Sequence, residues 1–192
     1  MAQFGFYFNQ EECIGCKACQ IACCDRNDLI AGVTFRRIQS FETGSYPQAT
    51  LYHFAQTCNH CENPVCVQNC PAGAMQKDPV DGTVFIDYSQ CIGCGSCVRT
   101  CPYGVPMLQE TKGTSGKCDG CKSFRDNGQN PVCVDACVMR ALDFGDIDEL
   151  RAKYGDAVNA LPILPDPALT GPSLLVTPKA AALNEDFRPF VF

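Results

Sequence analysis

No run of apolar residues in this chain approaches the roughly 18 needed to cross a bilayer, which excludes a membrane-spanning helix. Basic runs are also missing. The formal charge is -6, and no stretch interleaves aromatic with basic residues, so nucleic acid is excluded as a partner. The opening MAQFGFYFNQEE has neither a basic n-region nor a small-residue cleavage site, so no signal peptide is expected. There is no Ser/His/Asp set, phosphate loop or nucleotide fingerprint, and no direct small-molecule substrate is expected. Histidine is reduced to His53 and His60.

Cysteine is abundant instead, with seventeen in 192 residues. The 46% apolar fraction counts them, so true core residues are fewer than it suggests, and something other than side chains is expected to fill part of the interior. Without an export signal the thiols are expected to stay reduced, which weakens a disulfide scaffold and leaves them available to metals.

The cysteines fall into four groups, with Cys24 left over. The first is Cys13, Cys16, Cys19, Cys23; the second Cys58, Cys61, Cys66, Cys70; the third Cys91, Cys94, Cys97, Cys101; the fourth Cys118, Cys121, Cys133, Cys137. Groups one and three share CIGC-x2-C-x3-C. Groups two and four share C-x2-C and then NPVCV-x2-C, the fourth with a longer insert, KSFRDNGQNPV. The alternation suggests a duplicated unit.

Structural zinc usually takes CxxC pairs that lie far apart in sequence. Cysteines at i, i+3 and i+6 suit an iron-sulfur cube better, because one tight loop presents three thiolates and turns its amides toward sulfur. Gly15, Ala18, Gly93, Gly95 and Ser96 let the backbone approach, and Ile14 and Ile92 shield the cube from water. The fourth cysteine follows at i+4, one helical turn along the same face, and in bacterial ferredoxins of this spacing it ligates the other cluster. Pro71 and Pro102 end that turn; Cys23 and Cys137 lack such a proline. Four groups of four therefore predict four [4Fe-4S] clusters, with zinc or a disulfide scaffold as the non-redox alternative. Two histidines do not provide a Rieske centre when the cysteine sets are already full.

Strand-like segments FGFYFN and TVFID precede groups one and three; GAMQK and ALDFG follow groups two and four. The link DPVDG reads as a hairpin turn that joins groups two and three. FGFYFN and ALDFG then pair only if group four returns to group one. The expected fold is α+β: two ferredoxin-like 2[4Fe-4S] modules, one nested in the other. The outer one spans 1–30 plus 113–150, the inner 50–112, and an extended C-terminal tail spans 157–192. Under the swapping rule the first set is Cys13, Cys16, Cys19 with Cys137; the second is Cys118, Cys121, Cys133 with Cys23; the third is Cys58, Cys61, Cys66 with Cys101; the fourth is Cys91, Cys94, Cys97 with Cys70. Sequential pairing of group one with two and three with four remains the competitor at this point.

Residues 24 to 57 predict a connection with one further strand. GDIDELRAKYGD predicts a short helix with Asp146 as N-cap, Glu149 at the capping-box position and Gly155 at its end. LPILPDPALTGPSLLVTPK is too rich in proline to predict helix or sheet, and suits an arm against a partner or a loose tail. Arg36 and Arg37 are expected as a solvated pair. Lys17, Arg99, Lys117 and Lys122 flank ligands and are expected at the surface, although a cation there would stabilise the more negative reduced form of a cluster. His60 is expected to pack, and Cys24 to be a buried spare thiol.

CNHCENPVC, CIGCGSCVRTCPYGVP, KCDGC and RALDFGDIDELRAKYGD resemble the iron-sulfur electron-transfer subunits of the dimethyl sulfoxide reductase family of molybdopterin oxidoreductases, from the N-terminus to about Asp156. The resemblance implies nested pairing and a place between two partners. One is a catalytic subunit with a molybdenum bis-pterin cofactor (Mo-bisPGD); the other is a quinol-oxidising integral membrane subunit. The cluster of group one would face the molybdenum subunit and that of group three the membrane, with groups four and two between them. With Cys91, Cys94 and Cys97 all present, four cubanes are expected rather than a [3Fe-4S] centre. The chain would carry electrons without a catalytic site of its own, in a peripheral membrane complex. A relay in a soluble two-subunit molybdoenzyme fed by another donor is the alternative.

Overall fold

The computed structural model describes residues 2–190. In chain order its elements are β1 (Phe4–Asn9), α1 (Ala18–Arg26), β2 (Arg37–Thr43), β3 (Thr50–Gln56), α2 (Val65–Gln68), β4 (Met75–Lys77) and β5 (Val84–Ile86). There follow α3 (Ser96–Thr100), β6 (Met107–Gln109), β7 (Thr114–Gly116), α4 (Lys122–Arg125), α5 (Val132–Asp135), β8 (Leu142–Asp146), α6 (Ile147–Tyr154), β9 (Leu174–Thr177) and β10 (Arg188–Phe190). No helix among the described residues is long and apolar enough to cross a membrane.

FGFYFN forms β1, and its four middle residues are all buried. Such a strand needs partners on both edges and cover on both faces. β8 runs antiparallel to it, with Phe6 opposite Phe144; β9 runs parallel on the other edge, with Phe6 opposite Leu174. Gly5 allows that second approach, since a side chain there would strike the Ser173 carbonyl. DPVDG closes the β4–β5 hairpin, in which Met75 faces Ile86. Asp78 and Asp81 build its turn by accepting from the Val80 and Thr83 amides at 2.8 and 2.9 Å.

Two expectations change. Residues 24 to 57 form two strands rather than one. β2 and β3 pair antiparallel, with Phe41 opposite Tyr52 and their rings stacked 5.4 Å apart. The polar residues of RIQSFET hide β2 from a hydrophobic pattern. The C-terminal segment is also more than an arm. Leu174–Thr177, held between Pro172 and Pro178, become β9, and Val176 is fully buried; β10 adds to the edge of β2. The prolines flank β9 without interrupting it, and Pro189 lies in an outer strand, where a missing N–H is tolerated.

The main core runs from Phe6, Phe8 and Phe54 through Cys19, Cys23, Cys133, Cys118 and Cys58. A smaller one joins Met75, Val84, Ile86 and Cys97, with Cys66, Cys70 and Cys91 against it. Cysteine therefore occupies positions that aliphatic side chains fill in most domains.

Candidate metal centres

Each group begins with a CxxC turn, and in all four the residue before the second cysteine has a left-handed backbone: Gly15 at φ 68°, His60 at 43°, Gly93 at 66° and Gly120 at 69°. This bend brings amides toward sulfur. The Gly120 N–H donates to Sγ of Cys118 at 3.3 Å. The Met75 and Ala141 N–H groups donate to the last cysteines of groups two and four, Cys70 at 3.4 Å and Cys137 at 3.2 Å. Such donors favour thiolate over thiol.

The structure brings Cys13, Cys16, Cys19 and Cys137 around one cavity of about 330 Å³, including its open mouth, walled by Phe8, Ile38 and Leu142. Cys70, Cys91, Cys94 and Cys97 line a second of about 320 Å³, walled by Met75, Ile86 and Ile92. In both, three cysteines of one group meet the last cysteine of another, from a remote group in the first cavity and from the preceding group in the second. The other eight are near neighbours, Cys61 and Cys66 beside Cys58 and Cys101, and Cys23 beside Cys121 and Cys133, with Cys118 near both Cys23 and Cys58. Burial first, then Cys58 and Cys101 among its neighbours, push the Cys61 thiol up to about 11. Burial pushes Cys66 to about 12, with Cys58, Cys101 and Cys61 adding to it. Burial likewise takes Cys23 to about 12, beside Cys133 and Cys121. Cys118 is raised by burial and then by Cys23, with Cys133 contributing.

Packing links the neighbourhoods: α1, with Cys19 and Cys23, packs on α5, with Cys133; Cys118 lies near Cys58; α2, with Cys66, packs on α3, with Cys97. Cys16 at one end and Cys94 at the other are exposed, while Cys19, Cys23, Cys58, Cys118, Cys121 and Cys133 are buried. Cys24, expected to be buried, is half-buried, with Sγ 4.0 Å from the Val33 carbonyl.

All seventeen cysteines are free of disulfides. Among the described residues no three Cys, His, Asp or Glu side chains converge as on a single metal ion. Eight of the cysteines ring two cavities instead, which suits a polynuclear inorganic guest and not one tetrahedral zinc. Thiols raised this far stay protonated at neutral pH unless cations neutralise them, so metal and thiolate arrive together. The residues present fit [4Fe-4S] clusters.

Sequence reasoning missed the basic residues around these sets. Arg36, expected in solvent, is 1% exposed, and its Nε and Nη2 have no hydrogen-bond partner. Lys117, also expected at the surface, is 3% exposed, with Nζ 3.5 Å from Sγ of Cys58. His60 packs as expected, but its Nδ1 also accepts from the Val84 N–H at 2.9 Å; burial pushes its pKa well below the ordinary value and keeps the ring neutral.

A family model described as a 4Fe-4S dicluster domain matches residues 49–147, and one described as a 4Fe-4S binding domain matches 10–29. The B subunit of the anaerobic dimethyl sulfoxide reductase of Haemophilus influenzae is 45% identical over 201 residues, covering 100% of this sequence and 97% of that protein. The corresponding B subunit of Escherichia coli K12 is 44% identical over 186 residues, covering 93% and 90%. Protein NrfC of Escherichia coli K12 is 34% identical over 162 residues, covering 83% and 73%.

Proposed function

The protein belongs to the family of anaerobic dimethyl sulfoxide reductase B subunits and carries 4Fe-4S domains, and from there we propose that it is a relay of four [4Fe-4S] clusters between two partner subunits. One partner is a molybdopterin catalytic subunit, docked near Cys16; the other is a quinol-oxidising integral membrane subunit near Cys94. The two ferredoxin-like modules are nested, 50–112 within 1–30 and 113–150, and the complex sits at the membrane surface.

The observation that carries this reading is the crossed make-up of the two lined cavities, Cys137 with the first group and Cys70 with the third. Bound clusters supply one-electron carriers. The chain's own contribution is to hold sixteen thiolates in a row, to exclude water from the inner sets with Phe6, Tyr103 and Val105, and to leave one cysteine exposed at each end.

Anaerobic isolation tests the proposal. Iron and acid-labile sulfide should reach about sixteen each per chain, with broad absorbance near 400 nm that dithionite bleaches. The chain should co-purify with a large molybdenum protein and a strongly apolar one. Zinc in place of iron would end the reading. A complex that lacks the apolar protein would favour the soluble relay fed by another donor.

A further inference from the structure

Two cations are buried between the cysteine sets without a carboxylate to balance them. Arg36 lies over the Phe6 ring, 4.5 Å from its centroid, and donates Nη1 to the Ala55 carbonyl at 3.2 Å, leaving Nε and Nη2 unpaired in the interior. Its ionisable neighbours are Cys133, Cys19, Cys118 and Cys23, members of the first and second sets. Lys117 donates to the Cys118 carbonyl at 2.7 Å, to the Val84 carbonyl and to Sγ of Cys58 at 3.5 Å; the second and third sets meet at its ammonium. Neither residue takes part in an ion pair among the described residues. A buried cation with no counter-charge, or with donors left open, is strongly disfavoured. Both positions make sense if the missing acceptors and the missing negative charge belong to the guests of these sets.

We infer that Arg36 and Lys117 are fixed charges that raise the reduction potentials of the centres they adjoin: Arg36 those of the first and second sets, Lys117 those of the second and third. The inference rests on the four-cluster reading. An incoming electron makes a centre one unit more negative, and a fixed cation in a poorly polarisable interior stabilises that form. The second set lies between both cations. At the fourth the cation hydrogen-bonded among its cysteines is Arg99, which donates to the Cys94 carbonyl and to Ser96 and is exposed, so solvent screens it. Its centre is therefore an internal reference.

The test compares the intact complex with Arg36→Gln, Arg36→Lys, Lys117→Gln and Lys117→Arg. Iron and sulfide are measured first. Each centre's midpoint is then read by redox titration followed by electron paramagnetic resonance, with signals assigned through Cys→Ser markers. Arg36→Gln should lower the first and second centres. Lys117→Gln should lower the second and third. Each shift should be about tenfold in the ratio of oxidised to reduced form at fixed potential, or about 59 mV for a one-electron couple. The fourth centre should not move, and the two charge-retaining variants should stay near the unaltered values. Four unchanged midpoints, a uniform shift of all four, or equal shifts in charged and neutral variants would overturn the inference. If a neutral variant loses a centre, its charge-retaining twin decides: full iron supports the inference, equal loss overturns it. Iron or sulfide short of four clusters in the unaltered protein would instead remove the four-cluster reading.

Discussion

Nη1 of Arg125 lies 2.7 Å from Oδ2 of Asp81, and this ion pair clamps the fourth cysteine group to the hairpin between groups two and three. Both side chains are about nine-tenths covered. The guanidinium also donates to the Gly120 carbonyl at 2.8 Å and lies 5.1 Å from the centre of the Phe144 ring.

Asp81→Asn leaves the Arg125 charge without its partner and should destabilise the fold by about 3 kcal/mol, read as an earlier urea midpoint. Burial pushes the Asp81 carboxyl up, but Thr83 and Arg125 outweigh it and hold the pKa below its ordinary value. A depressed folded-state pKa contributes stability above the unfolded value of about 3.9 and loses it as pH falls through the folded value. The gap between Asp81→Asn and the unaltered protein should therefore be constant above about pH 5 and shrink below about pH 4.

His60→Gly pits two effects against each other. It removes a non-glycine residue from φ 43°, a relief of roughly 1–2 kcal/mol. It also strips the buried Val84 N–H of its acceptor, a loss of roughly 1–3 kcal/mol, and empties the space against the paired Phe6 and Phe144 rings, each 6.2 Å from the imidazole. The ring contacts decide the sign. The variant should be less stable, and the iron of the third set should be lost first in timed chelation.

Gly15→Ala should fail in assembly. The position has φ 68°, and a Cβ there would lie 2.5 Å from Cε1 of His53, whose Nδ1 is 3.0 Å from the Ser40 hydroxyl. The variant should return about one cluster's worth of iron less, about four atoms, from the first set. Gly128→Ala is the control. Its φ is 71° with nothing within 4 Å of the added carbon, so it should cost about 1 kcal/mol and keep full iron.

Stripping iron with a chelator under reducing conditions should unfold more than the loops. Cys19, Cys23, Cys58, Cys118 and Cys133 lie in the main core, so their guests and that core should stand or fall together. Far-ultraviolet circular dichroism should fall in step with the 400 nm absorbance. Strand signal that persists after all iron is gone would contradict this.

The parts legible in the sequence are those fixed by local spacing. The cysteine repeats located the loops that line the two cysteine-ringed cavities. FGFYFN matches β1 residue for residue, and Asp146 caps α6 by accepting from the Asp148 and Glu149 amides at 3.0 and 3.4 Å. The parts that were not legible depend on distant partners. LLVT becomes a strand because β1 offers it an edge, which no propensity within a proline-rich segment reveals. Arg36 and Lys117 look like ordinary surface cations until the sulfurs opposite them, many residues away, are put in place.

Because β1 sits between β8 and β9, its two edges are occupied by segments that leave the ribosome late: Phe6 waits for Phe144, and Phe8 for Val176. At about 5–20 residues per second, the stretch from Phe6 to Phe144 takes roughly 7 s or more to make, and the first strand stays half-dressed for that time. Under the proposed ligand set, the first centre waits for Cys137 as well, so its loading follows the emergence of the fourth cysteine group and does not begin with the first.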